Sequence, residues 1–350
     1  CSSDLLAQEH CHFRSTQLVL SSAAMVARRS FAAAARAKAA LQVSPMKLVL
    51  VDGTAVLTAH FYSSQKSEMV NTKDEPIGAV HSFVTDMFLL QRRTSDITHF
   101  GVMWDSPHSD VQLQRQKELP GYKAHRMERP QGFWRQHTQA QEACTAFGWR
   151  VKAFPSIEAD DLIHTYTKAA LALGSSTSVL IATPDKDLLQ LVSSRVKVCG
   201  KPTDSENEAF DAEKVEAKWG VGPEQFGDLL ALCGDTSDGV PGVPGIGRKK
   251  AATLLKQHGS LIAVLNAAKN GLPLGAGVGE VLRGKLVEHA DQAVEMRKLV
   301  ALRWVEQADA QAFERELTIP ELNSRWRDRA LQFCKKENLI GLEVFLDVKR

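Results

Sequence analysis

The stretch KLVLVD, residues 47–52, is a short apolar run that ends in an acid. Runs of this length that are rich in Val and Leu are typical of strands buried in a parallel sheet. The same arrangement occurs in THFGVMW (98–104), which Asp105 follows, and two further runs, RVKAF (150–154) and SVLIAT (178–183), also precede acids. The sequence therefore predicts four strands with carboxylates just beyond their ends.

Amphipathic segments separate these predicted strands. Residues 77–91 and 160–173 carry apolar side chains at the spacing of a helix. The alternation predicts an α/β fold with a mainly parallel sheet flanked by helices. In open sheets of this kind the functional crevice lies at the carboxyl ends of the strands. The acids that follow the strands are therefore expected to meet at one edge of the sheet.

Seven acids follow the predicted strands, three of them in IEADDLIHTY (157–166): Asp52, Asp105, Glu158, Asp160, Asp161, Asp185 and Asp187. Any one of them is also typical of a turn or a solvated helix start, where an acid complements the helix dipole. Gathered at one edge they would repel each other, by about 1 kcal/mol per pair at 4 Å in water and about 4 kcal/mol at a partly buried site.

A bound divalent cation would relieve this repulsion. Carboxylate oxygens without Cys or His ligands select Mg²⁺ or Mn²⁺ over zinc. Two such ions form the clamp that stabilises the attacking and leaving oxygens in phosphodiester hydrolysis. The sequence therefore predicts a site for two or more of these ions.

Basic and aromatic residues are interleaved in the segment 115–137. Its members are Arg115, Lys117, Lys123, Arg126, Arg129 and Arg135, with Tyr122, Phe133 and Trp134. Such a mixture suits a nucleic-acid single strand, because cations bind phosphates and aromatic rings offer stacking faces. A solvated charged face is the alternative. The position of the segment between two acid-bearing strands favours the nucleic-acid interpretation.

A glycine-rich stretch, GDTSDGVPGVPGIGRKKA, occupies residues 234–251, with helical patterns before it at 223–232 and after it at 260–268. Its glycines at the tight turn and the cations after them are Gly242, Gly245, Gly247, Arg248, Lys249 and Lys250. The free N–H groups of a helix that begins near Arg248 can face a phosphate. The pattern predicts a helix-hairpin-helix that holds the DNA backbone; a glycine C-cap between two ordinary helices is the alternative.

The composition is that of a soluble globular protein with room for two domains: 350 residues, 44% hydrophobic and 24% charged. The net charge is only +2, so a nucleic-acid surface has to arise from local segregation of charge. The six cysteines show no CxxC or Cys/His spacing of a zinc site. No apolar stretch reaches 18 residues, and we expect no membrane partner.

The N-terminal residues differ from the rest of the chain. Between His12 and Pro45 there is no acid, while five basic residues are interleaved with Ala and Ser. This composition predicts an organellar transit peptide over residues 1–45, for a chloroplast or a mitochondrion. The alternative is an exposed alanine-rich helix of a cytoplasmic or nuclear protein.

Taken together, the motifs resemble the 5′-nuclease superfamily, which includes the 5′→3′ exonuclease domain of bacterial DNA polymerase I, phage 5′ exonucleases and, more distantly, flap endonucleases. The matching stretches are LVLVDG, VMWD, PGYKAHR, IEADDLI, TPDKDLLQL and GDTSDGVPGVPGIGRKKA, in the order of the family. The resemblance implies a PIN-like catalytic domain with a helical arch at 46–222. It also implies a helix-hairpin-helix (helix-3-turn-helix) domain at 223–350.

The resemblance also implies roles for individual residues. A first metal group would comprise Asp52, Asp105, Glu158, Asp160 and Asp161, and a second Asp185, Asp187, Asp235 and Asp238. Catalytic contacts to the scissile phosphate would come from Lys123, Arg126 and Arg115 at the base of the arch. DNA would also be bound by Tyr122, Gly242, Gly245, Gly247, Arg248, Lys249 and Lys250, with a K⁺ ion at the glycine turn.

The implied activity is Mg²⁺- or Mn²⁺-dependent 5′→3′ exonuclease and 5′-flap endonuclease cleavage of flapped, nicked or gapped duplex, including RNA–DNA primer junctions. Such a chain would serve primer removal and repair as a monomer, either alone or alongside a separate organellar DNA polymerase. Two alternatives are an RNA-cleaving nuclease of the PIN-like fold and a non-catalytic DNA-binding relative.

The sequence departs from the family pattern at four places. Ala59 stands where relatives often have an arginine, Gln114 where an aromatic residue is usual, and Gly239 where an asparagine is usual. About three extra residues separate Asp105 from Arg115. Every carboxylate of the pattern is present, so these departures bear on substrate grip and rate.

Overall fold

The computed structural model describes residues 45–106, 113–124, 129–275, 277–308, 313–319, 324–339 and 341–346. From Pro45 onward the described residues belong to one compact unit. The predicted transit segment lies outside the described residues except for Pro45. Parts of the predicted arch, 107–112 and 125–128, also lie outside them, and Arg126 is among these.

Five parallel strands form one sheet in the order β3-β2-β1-β4-β5. They are β1 (Lys47–Asp52), β2 (His99–Met103), β3 (Arg150–Lys152), β4 (Ser178–Ala182) and β5 (Val196–Cys199). The α/β class with a parallel sheet is therefore confirmed. The fifth strand was not predicted from the sequence.

Both faces of the sheet are buried, as the continuous apolar character of β1 requires. Leu48 and Leu50 belong to one hydrophobic cluster, and Val49 and Val51 to another on the opposite face. All four are fully buried, and burying one such side chain contributes about 1.5–3 kcal/mol. Helices must therefore cover the sheet on both sides.

Two groups of helices provide this cover. On the Val49 face, α1 (Gly53–Ser63), α2 (Gly78–Arg93) and α4 (Gln131–Ala146) pack on each other. On the Leu48 face, α5 (Ala159–Leu173) packs on β1 and β4, and its cluster continues into the helices that follow the sheet in the chain.

The remaining helical elements lie between and after these. They are α3 (Gln114–Glu118), α6 (Ala212–Trp219), α7 (Phe226–Cys233), α8 (Arg248–His258), α9 (Leu261–Lys269), α10 (Glu280–Glu288), α11 (Ala290–Leu299), α12 (Phe313–Leu317) and α13 (Ser324–Lys336), with 3₁₀ turns at Lys186–Leu191, Pro223–Gln225 and Leu342–Leu346. In the part of the chain that the structure describes, no helix is long and apolar enough to cross a membrane.

The end of the chain returns to the sheet. The N–H of Ile319 donates to the carbonyl of Thr98 at 3.2 Å, beside the first residue of β2, and α13 packs on α4. The described part of 223–350 therefore includes segments that pack on the sheet and its helices. The predicted boundary between residues 222 and 223 stays a prediction.

The strand order places the crevice of the fold. The chain runs from β1 to β2 and β3 on one side, and then crosses to β4 and β5 on the other. The direction of winding thus reverses next to β1, and ligands of open α/β sheets bind at the carboxyl ends of the strands at such a point. Asp52 ends β1 and lies at this point.

Candidate active site

Six carboxylates line one cavity of about 610 Å³ at the carboxyl edge of the sheet. They come from the ends of four strands and from the glycine-rich stretch: Asp52, Asp105, Glu158, Asp160, Asp185 and Asp238. The structure therefore brings together residues that are far apart in the sequence, as the strand-end pattern predicts.

Backbone N–H groups orient Asp52 and Asp105, the acids that follow β1 and β2. Asp52 Oδ1 accepts from the N–H of Ala55 at 2.9 Å, so Asp52 caps α1. Asp105 Oδ1 accepts from the N–H of Ala159 at 2.9 Å, at the first residue of α5. Each carboxylate thus uses one oxygen to fix its own direction.

Two acids of the predicted second metal group, Asp185 and Asp235, are also oriented by backbone N–H groups. Asp185 Oδ1 accepts from the N–H of Asp187 at 2.9 Å. Asp235 Oδ1 accepts from the N–H of Ser237 at 3.0 Å and from its hydroxyl at 2.6 Å. The local turns after β4 and in the glycine-rich stretch therefore set the direction of these two carboxylates.

Two sets of three acids lie close enough to share an ion. Within each set, one oxygen per residue lies within 4.8 Å of the others; the sets are Glu158, Asp160 and Asp161, and Asp187, Asp235 and Asp238. All donors are carboxylate oxygens, which are the ligands of hard divalent cations. The residues present thus fit Mg²⁺ or Mn²⁺.

The electrostatics of the acids fit the same conclusion. Burial, together with the charges of Asp105 and Asp185, raises the pKa of Asp52 from 3.8 to about 7. Burial and the charge of Asp185 likewise raise the pKa of Asp187 to about 7, and burial raises the pKa of Asp160 well above its ordinary value. Carboxyls that hold protons near neutral pH, because burial and neighbouring charges disfavour the ionised form, gain most from a cation.

Lys123 faces the acids from the base of the predicted arch. Its Nζ lies 2.5 Å from Glu158 Oε1 and 3.7 Å from Asp238 Oδ2. Its backbone has φ of +55°, a region that a lysine rarely adopts, and its N–H donates to the carbonyl of Asp238 at 2.9 Å. The surrounding contacts therefore hold Lys123 against a local conformational cost of about 1 kcal/mol.

Lys123 and Glu158 each stabilise the charged form of the other. Although burial works against it, the carboxylate of Glu158 keeps the pKa of Lys123 well above its ordinary value. Burial also works to raise the pKa of Glu158, but Lys123 and Arg115 bring it down to about 2. Glu158 is therefore ionised and Lys123 protonated at neutral pH.

Arg115 lies beneath the acids and is only 2% exposed. Its guanidinium pairs with Glu158, and its Nη2 donates to Asp161 Oδ1 at 2.7 Å. The same group donates to the carbonyls of Leu299 and Ala301, at 3.1 Å each. This placement makes Arg115 a support of the acids, and its contact with a scissile phosphate stays a prediction.

Tyr122 is likewise buried, at 4% exposure. Its hydroxyl lies 3.4 Å from Glu158 Oε1 and 3.3 Å from Asp238 Oδ2. In this structure Tyr122 links two acids of different metal groups, and its predicted contact with DNA stays a prediction.

Among the polar residues of the site that were not predicted are Thr183 and Lys186. The hydroxyl of Thr183 donates to Asp52 Oδ2 at 3.1 Å and accepts from the N–H of Asp185 at 3.0 Å. Lys186 Nζ donates to Asp235 Oδ2 at 2.5 Å. Both lie in TPDKD (183–187) beside acids that were predicted, and this adjacency was the signal available in the sequence.

A connector, residues 299–305, joins α11 to the acid site. The N–H of Arg303 donates to Asp161 Oδ1 at 2.8 Å, and the N–H of Val305 donates to Thr165 Oγ1 at 2.9 Å. The guanidinium of Arg303 makes two hydrogen bonds with Glu118, the last residue of α3. The connector therefore contacts both the acids and the base of the predicted arch.

The glycine-rich turn leads from α7 to α8. A Cβ on Gly242 would lie 2.4 Å from backbone atoms of Cys233 and Gly234, so only glycine fits there. Gly239 has φ of +70°, a region that glycine and asparagine both adopt. The departure from the family's asparagine at this position thus preserves the turn.

Cations cluster at the end of this turn. Gly247 is the N-cap of α8 and, like Gly245, is exposed, and Arg248, Lys249 and Lys250 follow it and are exposed as well. An eleven-residue helix with free N–H groups and three cations at its start is suited to a phosphate. Five of the predicted DNA-binding residues thus lie together at one exposed helix start: Gly245, Gly247, Arg248, Lys249 and Lys250.

Comparisons with known proteins agree with this architecture. Residues 47–220 match the profile described as 5′-3′ exonuclease, N-terminal resolvase-like domain, and residues 221–321 match that of its C-terminal SAM fold. The 5′-3′ exonuclease of Buchnera aphidicola subsp. Baizongia pistaciae is 34% identical over 220 residues, which cover 62% of this chain and 68% of that protein. This chain belongs to the 5′-3′ exonuclease family.

Longer relatives contain the same region. DNA polymerase I of Rhizobium leguminosarum is 35% identical over 263 residues, which cover 73% of this chain and 24% of the polymerase. The chain thus spans about a quarter of the length of such relatives.

Solved structures show the same fold. The phage T5 5′-exonuclease bound to zinc has a TM-score of 0.58 at 19% identity, over 83% of this chain and 99% of that one. The T5 flap endonuclease in a complex with DNA and metal ions has a TM-score of 0.60 at 20% identity, over 82% of this chain and 100% of that one.

Proposed function

We propose that this chain hydrolyses DNA phosphodiester bonds near 5′ ends, as a 5′→3′ exonuclease and a 5′-flap endonuclease that requires Mg²⁺ or Mn²⁺. The observation that carries the proposal is the convergence of six carboxylates from separate strand ends on one cavity beside Lys123. Membership in the 5′-3′ exonuclease family supports the reaction class. Flapped, nicked or gapped duplex is the proposed substrate.

The side chains would divide the work as follows. Divalent cations held by the two acid groups would supply the Lewis acidity that phosphodiester hydrolysis requires. Lys123 is protonated and lies at the wall of the cavity, where its charge can stabilise negative charge that develops on a phosphate. Arg126, outside the described residues, is proposed to assist it. The cationic start of α8 would hold the duplex backbone.

A cleavage assay with a 5′-labelled flap oligonucleotide tests this proposal. We expect short products with Mg²⁺ and none with EDTA. Asp185→Asn should lose about 100-fold or more in rate, as removal of a transition-state interaction does. Asp328→Asn, an exposed acid on α13, is the matched control and should cut at the parental rate. If Asp185→Asn cuts as well as the parent, the proposal is wrong.

Substrate competition separates DNA from RNA cleavage. Unlabelled flap DNA should inhibit cleavage of the labelled flap more strongly than single-stranded RNA of the same sequence. Preferred binding and cleavage of the RNA would instead support an RNA nuclease with a PIN-like fold.

We also propose that the protein acts in an organelle as a monomer, works with an organellar DNA polymerase, and takes K⁺ at the glycine turn. The acid-free basic segment His12–Pro45 supports the location. A fusion of residues 1–45 to a fluorescent protein should enter a chloroplast or a mitochondrion.

The proposed K⁺ site is tested by duplex binding. The affinity for duplex DNA should be higher in K⁺ than in Na⁺ of equal concentration.

A further inference from the structure

Tyr62 is an exposed aromatic residue at the mouth of the acid cavity. Its side chain is 56% exposed and lines the cavity together with Thr58 and Ala59 of the same helix. These positions are four and three residues before Tyr62, so they share its helix face. A helix rises about 1.5 Å per residue, which places Tyr62 about 15 Å along α1 from Asp52. Tyr62 therefore lies in the cavity wall at the end of α1 that is farther from the acids.

The helix face between Asp52 and Tyr62 carries small side chains. Ala59 is exposed in the cavity wall, at the position where relatives often carry an arginine. α1 thus offers room for a strand but no cation at this point. A cation for a neighbouring phosphate has to come from another element.

Arg129 is that cation. It lines the same cavity, just before α4, and its guanidinium lies 4.6 Å from the centroid of the Phe133 ring. Phe133 packs edge-to-face on Phe61 with centroids 5.4 Å apart, and Phe61 packs edge-to-face on Tyr62 at 5.6 Å. Arg129 and Tyr62 therefore pack on opposite members of one buried aromatic pair, Phe133 and Phe61, at the mouth of the cavity.

We propose that Tyr62 and Arg129 form a nucleotide subsite for the DNA strand that enters the acid cavity. The base of a nucleotide a few positions along the strand from the scissile phosphate stacks on Tyr62, and Arg129 binds a phosphate of the same strand. A tyrosine ring is stiff and loses little entropy on stacking, and stacking is tolerant of base identity. The subsite therefore increases the affinity for the DNA strand without adding a preference for its sequence. This inference rests on the proposed nuclease function.

Stacking and phosphate contact can be separated by substitution. Tyr62→Leu should raise KM for flap DNA about tenfold, since loss of one stacked base costs about this much, whereas kcat changes little. Tyr62→Phe keeps the ring and should stay close to the parent. Arg129→Gln should raise KM and flatten its dependence on salt, while Arg329→Gln, an exposed arginine on α13, should not.

Substrates with one abasic site locate the stacked base. The parent protein should show a raised KM when the abasic site occupies one particular position near the cleavage point. Tyr62→Leu should no longer distinguish that substrate from the intact one, because the partner of the missing base is gone. The melting temperatures of Tyr62→Leu and Tyr62→Phe should match that of the parent, since the Tyr62 side chain is exposed.

The outcomes separate this inference from the function on which it rests. If the parent cuts the flap but Tyr62→Leu has the parental KM on every substrate, the subsite is wrong and the nuclease stands. If Tyr62→Leu and Tyr62→Phe lose the same factor, the hydroxyl rather than the ring matters, and stacking is wrong. A parent that cuts no substrate overturns the proposed function itself.

Discussion

The N–H of Arg303 donates to Asp161 Oδ1 at 2.8 Å, although the two residues are 142 positions apart. The same oxygen accepts from Arg115 Nη2 at 2.7 Å. Asp161 therefore binds the connector and a buried arginine with one atom. Asp160 differs, because it is more exposed and lines the cavity. Neighbouring acids thus have different surroundings, and their substitution should have different consequences.

Asp161→Ala should destabilise the fold. It removes an acceptor from the buried Arg115 and from the N–H of Arg303, and loss of one partner of a buried ion pair costs about 3 kcal/mol. Urea unfolding without divalent ions should show this loss. Asp160→Ala is the comparison: it should abolish cleavage while costing less stability. Desolvation and the charges of Asp161 and Glu158 disfavour the Asp160 carboxylate more than Arg115 favours it, so its pKa is well above the ordinary value. Equal losses of stability in the two variants would contradict this assignment.

Binding of divalent cations should depend on pH below neutrality. The pKa values of Asp52 and Asp187 are raised from 3.8 to about 7, so the native state holds more protons than the unfolded state between about pH 4 and 7. Without divalent ions, stability should fall as pH rises through this window and level off above it. Mn²⁺ must displace these protons, so its affinity should rise with pH up to about 7.

Calorimetric titration with Mn²⁺ in buffers of different ionisation enthalpy measures the protons released. We expect release at pH 6 and little at pH 8. Asp52→Asn should release fewer protons at pH 6 than the parent protein does. A constant affinity and no proton release across this range would contradict the raised pKa values.

Lys123→Ala should separate catalysis from metal binding. Loss of the ammonium should lower kcat about 100-fold, if it stabilises charge on the phosphate. Without DNA, the same variant should bind Mn²⁺ more tightly, because Glu158 loses the cation that pairs with it. Lys335→Ala, an exposed lysine on α13, is the control for both measurements. A variant that binds Mn²⁺ less tightly than the parent would show that Lys123 does not compete for Glu158.

The sequence predicts the sheet well because its central strands are continuous apolar runs. β5 was missed because its four residues include the exposed Lys197, and only pairing with β4 makes it a strand. The convergence of acids follows from strand ends at one edge, whereas Asp235 and Asp238 were assigned through the family resemblance. The connector could not be predicted, because its contacts join residues more than a hundred positions apart.

The cations at the start of α8 should contribute to the affinity for duplex DNA. Each lysine that contacts a phosphate contributes about 0.9 to the slope of log affinity against log salt concentration. Lys249→Gln should therefore weaken binding to a nicked duplex and lower that slope by about 0.9, in fluorescence anisotropy with EDTA present. Lys335→Gln, on the exposed side of α13, removes the same charge elsewhere and should leave the slope unchanged. Equal slopes for both variants would mean that general charge, rather than the helix start after Gly247, attracts the duplex.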